Sequence, residues 1–197
     1  MALALVALLA LAPDLAGRTG VQPALLAATI LFVLAAATDA LDGYLARKWN
    51  AVSVFGRITD PFADKILVLG TAVMLATPTF RITTDTESAM AAGFTGWMVV
   101  FILGRELLVT TIRGVFESKG VDFSASASGK AKMVIQSVAI PGCLLAAAVW
   151  ASDRPNWAGW AVNAAAWGTT LITAASAVPY ISRAAKASTN QHTQDTP

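Results

Sequence analysis

Charge is scarce in this sequence. Only 13% of its residues are Asp, Glu, Lys or Arg, about half the level usual for a soluble domain. A soluble fold needs polar surface to face water, and there is too little here to cover one. The charges present nearly cancel, leaving a net of +2, which gives no reason to expect a nucleic-acid partner. There is one cysteine, Cys143, in an apolar stretch, so no disulfide can form within the chain; a small buried apolar side chain is the expectation for it. The N-terminal run Met1 to Ala12 carries no basic residue, which argues against a cleaved signal peptide. That run is also short of the roughly 20 residues of a full span and reads as a truncated or tilted first transmembrane helix. No internal repeat and no separate soluble domain are visible. Residues 1–186 read as a single transmembrane domain, and the polar stretch 187–197 as a disordered tail.

What the sequence has in quantity is apolar residues: 56% of the chain, with a mean hydropathy of +0.62. They fall into runs at about 1–12, 23–46, 62–77, 91–112, 133–151 and 157–181, several of them long enough to cross a bilayer. The breaks between them are rich in turn residues, such as Pro13-Asp14 and Ser152-Asp153-Arg154-Pro155. The expected fold is therefore all-α and integral to a membrane, with six transmembrane helices. Arg47, Lys48, Arg57, Lys65, Arg105, Arg113, Lys119, Lys130, Lys132, Arg183 and Lys186 fall on one side if six helices alternate in direction; Arg18, Arg81 and Arg154 fall on the other. The positive-inside rule then places both termini in the cytoplasm of a multi-pass protein of the cell membrane. Trp97, Trp150, Trp157 and Trp160 lie near the expected helix ends, where interfacial anchoring accounts for them.

Four of the 12 acidic residues fall close together. Asp39 and Asp42 are three apart and share one helix face. Asp60 and Asp64 are four apart and share a face of the next helix, and the stretch from Lys48 to Thr59 lets the chain turn back between them. Two carboxylate pairs can then converge from antiparallel helices at the cytoplasmic edge. Four carboxylates brought together repel one another unless cations neutralise them, and ionisable groups beside membrane spans are costly and usually functional. Hard oxygen ligands in this number suit two Mg²⁺ or Mn²⁺ ions, which can clamp phosphate oxygens. Gly43 and Ala46 leave room for a nucleotide beside the aspartates, as Gly56 does on the next helix. Arg47 is placed to pair with a phosphate through its planar fork, and Pro61 reads as the first turn of a helix, where no amide donor is needed. The plainer alternative, in which each aspartate is a helix cap or a solvated loop charge, suits one such residue better than four at this spacing. A metal-ion transporter would hold its carboxylates near the midplane, and these lie at one edge.

The stretch Asp-x2-Asp-Gly-x2-Ala-Arg-x8-Gly-x3-Asp-x3-Asp over Asp39 to Asp64 resembles the complete signature of the CDP-alcohol phosphotransferases. The resemblance implies a six-helix membrane fold, commonly a homodimer, with a dinuclear metal site open to the cytoplasm, in which an alcohol displaces CMP from a CDP-linked lipid. By that resemblance Asp39, Asp42, Asp60 and Asp64 are metal ligands, Asp64 is also the general base, and Gly43, Ala46, Arg47 and Gly56 face the nucleotide. It also implies a departure. Family members usually begin with an amphipathic segment carrying an Asn-rich, Thr- and Arg-containing start, whereas this chain begins directly on an apolar run, so the first helix is expected to be shortened and part of the nucleotide pocket absent.

A second region bears on the acceptor. Gly104-Arg105-Glu106 is followed by Arg113 two turns later on the same helix, then by Ser128-Gly129-Lys130-Ala131-Lys132 and Gln136. Such a basic cluster facing the aspartates would attract an anionic acceptor; ordinary loop charge and snorkelling arginines are the alternative. The order of these residues resembles the branch of the family that makes phosphatidylglycerophosphate from CDP-diacylglycerol and sn-glycerol 3-phosphate. On that resemblance Arg105, Arg113 and Lys130 hold the acceptor phosphate, although Met133 stands where a Thr is often found. Inositol phosphate and phosphatidylglycerol are the acceptors of the nearest alternatives.

Overall fold

A computed structural model describes residues 5, 9, 20–49, 54–83, 88–118, 127–150 and 154–184. Among these the chain is mainly helical: α1 (Pro23–Lys48), α2 (Val54–Leu75), α3 (Gly96–Ser118), α4 (Ala127–Trp150) and α5 (Asn156–Ala175). A turn at 176–177 leads into a further helical stretch over 178–184. Residues 187–197 lie outside the described residues, as does most of the run 1–12; of that run Leu5 and Leu9, one turn apart, are helical and buried in the core.

Three described helices are long and apolar enough to cross a membrane: Pro23–Leu45, Lys132–Trp150 and Asn156–Ala184. The expected spans at 62–77 and 91–112 are helices of full length, α2 with 22 residues and α3 with 23, or about 33 Å at 1.5 Å per residue. They fall outside that set because charge interrupts them, at Arg57, Asp60, Asp64 and Lys65 in α2 and at Arg105, Glu106, Arg113 and Glu117 in α3. The all-α expectation needs one amendment. Between α2 and α3 a 3-10 turn (Pro78–Phe80) leads into a two-stranded antiparallel hairpin, β1 (Arg81–Thr83) with β2 (Ser88–Met90), in the register Arg81 with Met90 and Thr83 with Ser88. Three-residue strands leave no periodicity to read, so only a loop was expected there.

The helix bounds also shift. α2 begins at Val54, so Pro61 is its eighth residue and lies within the helix rather than at its start. The missing amide removes one i→i−4 bond inside the helix, which is tolerated in membrane helices where neighbouring groups satisfy the freed carbonyl. Pro141 is likewise internal to α4.

The helices alternate in direction. The backbone N–H of Gln22, just before α1, donates to the carbonyl of Ala148 near the end of α4 at 2.7 Å, so these two helices are antiparallel. α1 packs against α2 and α4, and α5 packs against α3 and α4. The start of α1, the end of α2, the hairpin, the start of α3, the end of α4 and the start of α5 gather at one end of the bundle, which is almost wholly apolar. Phe80, Ile82, Ala91, Ala92, Phe94 and Met98 are buried there. Gly93 makes this closure possible: its φ is +72°, and a Cβ would stand 2.7 Å from the Val162 carbonyl oxygen on α5, so only glycine fits. Arg154 Nη1 donates to the Ala91 carbonyl at 2.8 Å, tying the α4–α5 connection to the hairpin; burial lowers the pKa of this guanidinium. Cys143 is a free, buried side chain of the core, as expected.

Candidate active site

The helix order sends the other ends of α1 to α5 to the opposite pole; the aspartates, Arg113 and Lys130 lie toward that pole, and Arg105 lies near the middle of α3. Asp39 and Asp42 are on the last turns of α1, three residues apart, and both are exposed. Gly43 is next to them and half-buried. Asp60 and Asp64 lie one turn apart on the backbone of α2, which packs against α1. The side chains of Ala46, Arg47, Gly56, Asp60, Asp64 and Lys130 lie outside the described residues. Among the described residues no three acidic, histidine or cysteine side chains come together. What the backbone gives is the packing of α1, which carries Asp39 and Asp42, on α2, which carries Asp60 and Asp64. As donors, Asp39 and Asp42 suit a hard divalent cation: two carboxylates, exposed, and one turn apart.

α3 passes alongside this pole. Lys65, the residue after Asp64, donates through Nζ to Thr110 Oγ1 on α3 at 2.7 Å. Thr110 lies between Arg105 and Arg113, so this contact fixes the acidic segment of α2 against the basic segment of α3. Arg105, Glu106 and Lys132 are all buried. Arg105 Nη1 donates to Glu106 Oε1 at 2.8 Å, and Lys132 Nζ on α4 pairs with the same carboxylate oxygen. One turn further along α4, the buried Gln136 donates through Nε2 to Thr173 Oγ1 on α5 at 3.0 Å. The Arg105 guanidinium lies 5.9 Å from the centre of the Tyr180 ring, close enough for a cation–π contact. Tyr180 itself packs with Val109 and Ala177, and with Ile112 and Phe116, in a small apolar cluster beneath the arginine.

The decisive detail is on the other edge of Arg105. Its side chain is 5% exposed, and its Nε and Nη2 are buried without a hydrogen-bond partner among the described residues. A guanidinium presents two N–H groups in parallel along that edge, the geometry that takes a carboxylate or phosphate bidentately. Buried donors are almost always satisfied, and an arginine held by one edge and unpartnered on the other has the chemistry to take an anion. Of the sequence-predicted acceptor residues, Arg105 is brought into this cluster. Arg113 is half-buried two turns along α3. Two members were not among the predicted acceptor residues: Glu106, whose signal was its direct sequence link to Arg105, and Lys132, second in the Gly-Lys-x-Lys segment.

The family model for CDP-alcohol phosphatidyltransferase matches residues 1–173. This chain belongs to the CDP-alcohol phosphatidyltransferase family. Among its relatives is the CDP-diacylglycerol–glycerol-3-phosphate 3-phosphatidyltransferase of Escherichia coli (strain K12), 32% identical over 165 residues that cover 80% of this chain and 78% of that protein. The protein of the same name from Bacillus subtilis (strain 168) is 38% identical over 129 residues, 66% of this chain and 60% of its relative. That from Mycoplasma genitalium is 37% identical over 119 residues, 60% of this chain but 45% of its relative. The chain thus spans less than two thirds of the length of two of these three relatives. The aspartate spacing on α1 and α2 and the apolar character of the chain are in keeping with that family.

Proposed function

We propose that this phosphatidyltransferase makes phosphatidylglycerophosphate and CMP from CDP-diacylglycerol and sn-glycerol 3-phosphate, in phospholipid biosynthesis. The observation that carries the acceptor assignment is the bare Nε–Nη2 edge of buried Arg105. A free polyol gives that edge nothing to neutralise; a phosphate monoester does. The names of the three relatives support the same reading.

In the reaction, a hydroxyl of the acceptor attacks the phosphorus that bears the diacylglycerol. A new P–O bond forms, the P–O bond to CMP breaks, and the hydroxyl proton goes to a carboxylate. Asp64, one turn beyond Asp60, is the base assigned to that proton. Gly43, Ala46, Arg47 and Gly56 flank the nucleotide. Arg105, with Arg113 and Lys130, holds the acceptor phosphate. Asp39, Asp42, Asp60 and Asp64 would hold two Mg²⁺ or Mn²⁺ ions, which when bound neutralise the pyrophosphate and the departing CMP. We place the site on the cytoplasmic side, where both termini and most lysines and arginines fall. The count of six spans is reached when the 1–12 run, α2 and α3 join the three apolar helices, and the enzyme works as a homodimer in the cell membrane.

The test is product identification with the purified full chain, labelled CDP-diacylglycerol, and glycerol 3-phosphate, inositol phosphate or phosphatidylglycerol as acceptor. Phosphatidylglycerophosphate is the expected product. Turnover with inositol phosphate and none with glycerol 3-phosphate would overturn the acceptor assignment.

A further inference from the structure

Glu106 has no place in the scheme above, yet it is the hub of the buried cluster. It is 7% exposed, and a single oxygen, Oε1, meets both Arg105 Nη1 and Lys132 Nζ. A carboxylate in an anion site is at first sight misplaced, because it competes with the phosphate for the same cations. The geometry resolves this. Glu106 engages Nη1, the end of the guanidinium that a ligand on the Nε–Nη2 edge does not need. With Nη1 anchored and Tyr180 against the cation, the guanidinium plane is fixed and its buried Nε–Nη2 edge is left without a partner among the described residues. The carboxylate also lets two cations from different helices stand together where their mutual repulsion would otherwise be severe.

We infer that Glu106 is the positioning residue of the acceptor site: it clamps Arg105 by Nη1 and Lys132 by Nζ, so that the Nε–Nη2 edge of Arg105 is pre-oriented for a phosphate monoester. Lys132, rather than only Lys130, is then the α4 cation of this site. The inference rests on reading the cluster as the acceptor-phosphate seat, and it makes a directional claim that a purely electrostatic role does not. If Glu106 only diluted positive charge, its removal would strengthen anion binding. If it orients Arg105, its removal weakens anion binding although a negative charge has gone.

The experiment measures kcat and KM for both substrates with full-chain wild type, Glu106→Ala and Glu106→Gln, alongside thermal midpoints. Wild-type turnover of glycerol 3-phosphate comes first, since its absence defeats the functional reading and not the clamp. Given turnover, the expected result for Glu106→Ala is a KM for glycerol 3-phosphate raised about tenfold or more, with the KM for CDP-diacylglycerol within about twofold of wild type. Glu106→Gln, whose amide oxygen can still accept from Nη1, recovers part of that loss. A KM for glycerol 3-phosphate that falls in both variants overturns the clamp in favour of simple charge dilution. Equal changes in both KM values, with a lowered midpoint in both variants, overturn it in favour of a structural role. If Glu106→Ala does not fold, the Glu106→Gln comparison alone decides between a raised and a lowered KM.

Discussion

At the hairpin pole of the bundle, buried volume is filled by Phe80, Ile82, Phe94 and Met98. Among the polar groups there, Arg154 donates to the Ala91 carbonyl and Gln22 Nε2 to the Gly20 carbonyl, while Thr95 Oγ1 is buried without a hydrogen-bond partner among the described residues. In the Arg105 cluster, Arg105, Glu106, Lys132, Gln136 and Thr173 are buried to a similar depth, and two of the contacts, Glu106 with Lys132 and Gln136 with Thr173, join different helices. By contrast, Thr29 closes on the Leu25 carbonyl and Thr71 on the Leu67 carbonyl of their own helices. Thr173 instead receives Gln136. The contrast teaches where the fold stores rigidity and where it stores reactivity. One pole is closed by shape. The other holds polar groups together across helices and leaves the Nε–Nη2 edge of Arg105 bare.

Substitutions at the two poles should therefore separate cleanly into activity and stability. The largest effect is expected for Asp64→Asn, which should lower turnover by about a hundredfold or more while sparing most nucleotide binding; CMP release and CDP-diacylglycerol binding on the same preparation check this, and equal loss of both contradicts the base assignment. At the hairpin pole, Phe80→Ala should cost about 3–5 kcal/mol of stability, read as a lowered unfolding midpoint, with both KM values unchanged in the folded fraction. Gly93→Ala at the same pole should cost about 1–3 kcal/mol, since it combines a left-handed backbone with a clash against the Val162 carbonyl. The smallest effect is expected for Thr173→Val, which deletes the acceptor of the Gln136 bond. Interhelical hydrogen bonds in membranes average about 0.6 kcal/mol, so a slight fall in midpoint is the outcome; a loss comparable with that of Phe80→Ala would break the division between the poles.

Much of the fold was legible because apolar length is a direct signal: the run 23–46 became Pro23–Lys48, and the run 157–181 became Asn156–Ala175 with the stretch 178–184. The helices that carry the chemistry were read less well, for a physical reason. Val54 to Pro61 mixes apolar residues with Arg57, Asp60 and a proline, so hydropathy started α2 eight residues late. The hairpin was invisible because its strands are three residues long. At the site, the spacing of Asp39, Asp42, Asp60 and Asp64 was readable as two faces, since it depends only on helical period. The meeting of Glu106 with Lys132 was not, because it brings α4 against α3, and no spacing within α3 announces Lys132.

The most direct test of the account is CMP release by the purified full chain from CDP-diacylglycerol, with glycerol 3-phosphate or free glycerol as acceptor, before and after chelation of divalent cations. The account predicts release that requires the phosphorylated acceptor, stops on chelation and returns with Mg²⁺ or Mn²⁺. Equal release with free glycerol, or release that survives chelation, would contradict it.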